Sequence, residues 1–440
     1  RTTMRKWLGL IMIVALVVLS ACAAPAAPAE QGAAAPAADG AATETAAPAG
    51  DTAGEQVTIT YAIWDNNQLP AHEKIIEAFE AQHPNIKVEP QVVPWGDYWT
   101  KLQTAVAGGE AYDTFWMNGP SFPVYAGKGV LMNLQPMVDA DGLDMTKYPE
   151  SLVNLYSYDG SVYGLPKDFD TIALFYNKDL FDKAGVAYPD GTWTWDNLTE
   201  AAKKLTDSGA GVWGFASTLE DQSNYWNFIY QNGGQVISED GTKVLLDQPA
   251  DCEALQYAYS FVADGTSPDG ATMASVDPST QLFPGGKVAM ITAGSWMVKP
   301  YAESGLKIDV APLPKGKQNA TIIHGLSNVV WSGTKHPQEA WEWVKFLGSE
   351  EAAKIQAESG TVIPAYAGMQ DVWVKSVPSM NLQTFIDELA YAVPYPTAAQ
   401  GMEWNAKVAE VLTEVWMGNT PPDNMCADAA AAANAVLSQQ

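Results

Sequence analysis

Between Val57 and Met117 the hydrophobic pattern switches period at every segment. Val57, Ile59, Tyr61 and Ile63 alternate with Thr58, Thr60 and Ala62, the spacing of a strand. Ile75, Ile76 and Phe79 then share one face of a helix that stops at Pro84. Ile86 to Val93 reads as a second strand, and Trp99, Leu102 and Val106 mark a second helix ended by Gly108-Gly109. Asp113 to Met117 is a short third strand. This β-α-β-α-β order leaves few solutions, because the helices must cover both faces of a parallel sheet. The expected fold class is therefore α/β. Further strands are expected at Ile172 to Tyr176, Val288 to Ile291, Ile308 to Ala311 and Asn328 to Trp331. Further helices are expected at Leu198 to Leu205, Ala340 to Leu347, around Trp404 to Trp416, and at Ala427 to Leu437. The 440 residues exceed what one core organises, which is roughly 250–300, so at least two domains follow.

The chain begins differently. Arg5 and Lys6 precede an apolar run, Leu8 to Leu19, interrupted by Gly9 alone. That run is shorter than the about 20 residues a bilayer span needs, so it reads as the core of an export signal. It ends in Leu19-Ser20-Ala21-Cys22, the order of a bacterial lipobox. Residues 1–21 are expected to be a lipoprotein signal peptide, with a lipid on Cys22 as the membrane anchor. Residues 22–54 follow as a tether rich in Ala, Pro and Gly, without Leu, Ile, Val or an aromatic residue. Such a segment cannot repay the entropy of ordering, and its reach is about 30 Å. The expected location is exported and lipid-anchored, on the extracellular face or in a periplasm.

Charge narrows the partners. Lys+Arg 24 against Asp+Glu 51 gives −27, the wrong sign for neutralising phosphates, so no nucleic acid is expected. The 16 Trp and 18 Tyr offer many flat apolar faces beside few cations, which suits a neutral, ring-bearing ligand. His72, His83, His324 and His336 are scattered and no Cys/His pair has ligand spacing, so neither metal nor cofactor is expected. With Cys22 lipidated, Cys252 and Cys426 remain; they either bridge in an oxidising compartment or stay as two buried thiols.

Ligands of open α/β sheets bind beyond the carboxyl ends of the strands. The segments there are Trp64-Asp65-Asn66-Asn67, Trp116 with Asn118-Gly119-Pro120, Pro166-Lys167-Asp168-Phe169-Asp170, Gly294-Ser295-Trp296 and His324-Gly325-Leu326-Ser327. Each pairs an aromatic residue or Gly with Asp, Asn or Ser. That combination suits a sugar, whose C–H faces stack on rings and whose hydroxyls donate to acceptors.

Gly164-Leu165-Pro166, then Phe175-Tyr176-Asn177-Lys178-Asp179-Leu180-Phe181 and Ala184-Gly185, resemble the signature segment of family 1 extracellular solute-binding proteins, which serve ABC importers. Phe283, Gly286-Lys287-Val288-Ala289-Met290, Pro312-Leu313-Pro314-Lys315-Gly316 and Ser349-Glu350-Glu351-Ala352 extend the likeness, from about Val57 to about Val415. The resemblance implies a two-lobed, periplasmic-binding-protein-like fold of type II, with a ligand cleft between lobes joined by a hinge. The first lobe would comprise residues 55–168 and 326–371, and the second 169–325 and 372–440. It implies ligand groups at Asp65, Asn66, Trp116, Asp170, Asn224, Tyr225, Trp296 and Trp404, with Trp116 in the first-lobe wall and Trp296 and Trp404 as stacking platforms; Asn118, Asp168 and Gly325 join them from the strand-end segments. The partners it implies are a carbohydrate, the transmembrane subunits of an ABC permease, and the membrane through Cys22, with the chain a monomer. Relatives that bind malto-oligosaccharides carry a Lys in the first loop. Asp65-Asn66-Asn67-Gln68 has none, which argues against a maltodextrin ligand.

A second class of function is a secreted glycoside-active enzyme using Asp168 and Asp170. Two carboxylates at i, i+2 in an extended segment point the same way, which suits the about 5–10 Å separation of glycosidase pairs. No nucleophile or phosphate motif accompanies them, so binding is favoured over catalysis.

Overall fold

The structure, a computed structural model, describes residues 56–398 and 401–439. The expected export signal, Cys22 and the tether lie outside those residues.

The first three strands form where their alternation places them: β1 at Val57–Ile63, β2 at Ile86–Val92 and β3 at Thr114–Asn118. β1 pairs parallel with both β2 and β3, so their carboxyl ends share one edge. Helix α1 (Leu69–Gln82) connects β1 to β2, and α2 (Trp95–Gly108) connects β2 to β3. Gly109 closes α2 in the left-handed region, at φ 71°, where a side chain would be strained. Alternation sorts the core into two layers. Ile59, Tyr61 and Ile63 meet α1 through Ile75 and Phe79, together with Trp343 and Phe346. Ala62, Phe115 and Met117 face the other way, onto Tyr98 and Leu102 of α2.

Four more strands complete this sheet. β4 (Gly164–Asp170) lies between β8 (Thr321–Val330) and β9 (Ile363–Pro364). β8 runs antiparallel to β3 and to β4, and β10 (Ala392–Pro394) adds parallel to its first residues. A smaller sheet is built from β5 (Ile172–Asn177) between β6 (Met290–Gly294) and β7 (Ile308–Ala311). Each sheet belongs to one of two lobes, the type II arrangement.

The lobes meet where strands change sheet. β4 ends at Asp170 in the larger sheet and β5 starts at Ile172 in the smaller one. Thr321, first in β8, crosses beside them: its Oγ1 accepts from the Ile172 N–H at 2.9 Å and donates to the Ile172 carbonyl at 3.1 Å. Thr171 Oγ1 donates to the Phe385 carbonyl at 2.8 Å, bringing a further segment to the same place.

Behind the smaller sheet, α3 (Pro249–Ala263), α4 (Glu403–Trp416) and α5 (Met425–Leu437) pack on Phe215, Trp226 and Phe228. Cys252 of α3 and Cys426 of α5 form a disulfide across 174 residues, with Cα atoms 5.4 Å apart. This resolves the alternative that the sequence left open.

Two expectations shift. Pro166 to Asp170 and His324 to Ser327 are strand interior rather than loops. Every residue of β4 is buried on both faces, so it shows no alternation, and its Pro, Lys and two Asp conceal it from a hydrophobic pattern. The strand expected from Val288 begins instead at Met290, and Val288 makes an isolated parallel bridge to Trp213 through the backbone bonds of Lys287 and Ala289.

Candidate functional site

The carboxyl ends of β1, β2 and β3 present one wall. After Ile63 the chain turns through Trp64 and Asp65 into a short helical turn, Asn66–Gln68. Asp65 caps that turn: its Oδ1 accepts from the Asn67 N–H at 2.9 Å, and its Oδ2 from Gln68 Nε2 at 3.0 Å. Asp65 stays half-buried and Asn66 exposed, so both remain open to a partner. After β2 comes Trp95, 54% exposed and edge-on to Trp64 with ring centroids 5.3 Å apart. After β3, Asn118 Oδ1 accepts from the Ser121 N–H at 3.0 Å, and the Gly119 N–H donates to His324 Nε2 at 3.1 Å.

Trp116 stands behind this wall. It is fully buried, its Nε1 donates to Tyr61 Oη at 2.6 Å, and its ring meets Trp64 edge-on at 5.0 Å. Lys167, also buried, donates to Gln68 Oε1 at 2.8 Å, pairs with Asp168, and lies 4.3 Å over the Trp116 ring. The cation missing from the first loop thus reaches it from β4. Asp168 Oδ1 accepts from the Leu326 N–H at 3.1 Å, so both its oxygens are engaged. Gly325 is needed at this crossing, since a Cβ there would lie 2.6 Å from the Asp168 carbonyl oxygen.

The lobe crossing and the second lobe supply further groups. Asp170 Oδ1 accepts from Gln222 Nε2 at 2.6 Å. Burial, with the Asp168 charge beside it, holds the Asp170 carboxyl well above the usual range. Gln222 belongs to a π-helical turn, Asp221–Tyr225, a geometry that recurs at functional sites. Asp221 Oδ2 accepts from Tyr395 Oη at 2.9 Å and from Asn405 Nδ2, while burial raises its carboxyl. Asn224 Nδ2 donates to the Thr218 carbonyl at 3.1 Å, and its Oδ1 is buried without a partner. Trp296 is half-buried and packs against both core layers of its lobe.

Some expected ligand groups, the Trp404 platform among them, lie deeper than expected. Neither Trp116 nor Trp404 offers an exposed ring face in this conformation, and Tyr225 is also buried. Trp404 lies parallel to Trp226, 9° between planes and 5.9 Å between centroids. A long helix turns one face inward, and its periodicity does not say whether that face meets core or ligand. Trp95, Lys167, Asp221 and Gln222 were not singled out from sequence. For Trp95 the signal was present, since it follows the end of a strand as Asp65 and Asn118 do.

Chemically the site combines carboxylate and amide acceptors with ring faces. Among the described residues no group of three or more His, Cys, Asp or Glu side chains could hold a metal ion. None of their helices is long and apolar enough to cross a membrane.

The profile of a family described as bacterial extracellular solute-binding protein matches residues 64–354. An ABC substrate-binding protein of Listeria monocytogenes, solved in complex with cycloalternan, superposes with TM-score 0.83 at 30% identity, covering 88% of this chain and 100% of that one. A solute-binding protein of an ABC transporter from Thermotoga lettingae, bound with alpha-D-tagatose, gives TM-score 0.78 at 26% identity, with 87% and 100% covered. The galactooligosaccharide-binding protein of Bacillus subtilis is 26% identical over 315 residues, 69% of this chain and 72% of that one.

Proposed function

This chain belongs to the bacterial extracellular solute-binding proteins, and on that premise we propose that it captures a neutral sugar or oligosaccharide and hands it to an ABC importer. Family members bind substrates for transport and are not enzymes. Asp168, tied to Lys167 and to a backbone N–H, is not poised as an acid or base. The observation that carries the sugar reading is the Listeria relative, which shares this fold over 88% of the chain and was solved with cycloalternan. The acceptor-rich cleft agrees with it, since hydroxyls donate to carboxylates and amides.

In this reading Asp65, Asn66, Asn118, Asp170 and Trp296 face the sugar, and Asn224 lies buried behind Asp170 and Gln222. Trp116, Asp168, Tyr225, Gly325 and Trp404 build the walls behind them. The lobes are 55–168 with 326–371 and 169–325 with 372–440; the larger sheet keeps Phe169 and Asp170, so the change of sheet falls just past the first boundary, between Asp170 and Ile172. A lipid on Cys22 holds the monomer at the exported face of the membrane, beside the transmembrane subunits of its permease.

A thermal-shift screen of neutral mono-, di- and oligosaccharides tests the ligand class. A sugar present at 100 times its Kd adds about 2.7 kcal/mol of stability. A panel that leaves the melting temperature unmoved, beside an acidic or peptide ligand that raises it, refutes the sugar reading.

A further inference from the structure

One ammonium group lies behind the Asp65–Gln68 turn and the Trp64–Trp95 pair of the first wall. Among the described residues Lys167 is the one buried Lys or Arg. Its neighbours are Gln68 Oε1 at 2.8 Å, the Asp168 carboxylate and the Trp116 ring at 4.3 Å. A buried ion pair is weak grounds for stability, because desolvation offsets the attraction. What such a pair does well is fix geometry, and two branches of contact leave this one.

The polar branch runs from Nζ to Gln68 Oε1, from Gln68 Nε2 to Asp65 Oδ2 at 3.0 Å, and from the Asn67 N–H to Asp65 Oδ1 at 2.9 Å. Gln68 is the buried member of an otherwise open turn, so its amide is what fastens that turn to the lobe. An amide can serve here because it accepts at one end and donates at the other. The aromatic branch runs from the Trp116 ring to Trp64 at 5.0 Å, and from Trp64 to the exposed Trp95 at 5.3 Å. Both branches end on groups that stand open at the strand ends.

We infer that Lys167 is a positioning residue: through Gln68 it holds the Asp65–Gln68 turn in the shape that presents Asp65 and Asn66 to the ligand. It does not touch the ligand itself, since its neighbours enclose it. The inference rests on the proposed site, with Asp65 as a sugar contact. It places the order of an exposed loop under the control of the strand that leads into the lobe crossing at Asp170.

Gln68→Met tests it without unpairing the buried charges, and Lys167→Met is the companion variant. Amide hydrogen exchange of residues 65–69, measured without ligand, should quicken at least tenfold in Gln68→Met, while exchange in β1 and β3 stays at the wild-type rate. Unchanged exchange in the turn overturns the inference, whatever Lys167→Met does to folding. Calorimetric titration then uses the tightest binder among cellotriose, mannotriose and galactotriose. Gln68→Met and Asp65→Ala should each weaken binding about tenfold, and the double variant should be no weaker than Asp65→Ala. Full additivity, or wild-type affinity in Gln68→Met beside a weakened Asp65→Ala, overturns it. Should Asp65→Ala bind as wild type, Asp65 is no contact and the relay has no ligand to serve, although sugar binding itself stands. Should none of the three sugars bind, the exchange measurement still decides the relay, and the wider thermal-shift panel decides the sugar reading.

Discussion

The indole of Trp296 lies across the Cα of Gly294, so close that a Cβ built on Gly294 would sit 1.9 Å from the ring. Gly294 ends β6, and Trp296 follows in the turn Ser295–Met297. A side chain at 294 and the ring in its present place exclude one another. Gly294→Ala should therefore swing Trp296 aside and weaken sugar binding about tenfold, as a misplaced group does. Titration of the folded variant checks this, and an unchanged affinity would mean that the ring position is immaterial.

The two tryptophans of the second lobe should separate by their exposure. Trp296→Ala should cost about 2–4 kcal/mol of binding, as a truncated aromatic hot spot does, with a smaller loss of stability. Trp404 is fully buried against Trp226, so Trp404→Ala should cost about 3–5 kcal/mol of stability through the cavity it leaves. Melting curves together with titration below the melting range distinguish them. An intact melting temperature in Trp404→Ala, with binding lost, would return that ring to the ligand.

Cys252–Cys426 closes a long loop between α3 and α5. On the chain-entropy argument such a closure is worth about 5 kcal/mol, so reduction or Cys426→Ser should lower the unfolding midpoint in denaturant markedly. Sugar affinity below that midpoint should be preserved. A reduced protein with an unmoved midpoint would show that helix packing alone holds the second lobe.

His324 supplies a pH dependence. Burial pushes its imidazole down to about 4, against an ordinary 6.5, and its Nε2 accepts from the Gly119 N–H. The unfolded chain then binds the proton first as pH falls, so stability is complete above about 6.5 and is lost on the way down to about 4. The full span is worth about 3 kcal/mol. His324→Gln, whose amide oxygen can still accept, should flatten this part of the melting temperature profile. An equal slope in the variant assigns the loss to other groups.

The anchor reading makes a cellular prediction. Cys22→Ser should move the protein from the membrane fraction to the soluble exported fraction, followed by immunodetection. Wild-type sedimentation with membranes would exclude lipidation at that residue.

Much of the first lobe is legible in the amino-acid pattern. Val57 to Ile63 becomes a strand face by face as it alternates, and Gly108-Gly109 ends α2 as glycine should. Asp65 and Asn118 could be named as candidates because parallel strands deliver their carboxyl ends to one edge. β4 was not legible, since a central strand buried on both faces needs no alternation and tolerates Lys167, Asp168 and Asp170 only because partners from elsewhere satisfy them.

By itself the sequence determined the alternation of strands and helices from Val57 to Met117, the acidic balance and the residues brought to those strand ends, because these depend on local periodicity and on the backbone geometry of neighbours in the chain. Whether a ring or a carboxylate stands open or lies in the core was decided by tertiary structure. Trp404 and Trp296 are alike as residues, yet one stacks on Trp226, from a segment far away in sequence, and the other lies over the bare Cα of Gly294. Asp168 and Asp170 are two residues apart, yet one is held by Lys167 and the other by Gln222 across the lobe crossing. For Trp404 and Asp170 the partner arrives through the fold, and for Asp168 and Trp296 the fold decides what closes over a neighbour already at hand; burial there sets the cost of leaving a group unpaired.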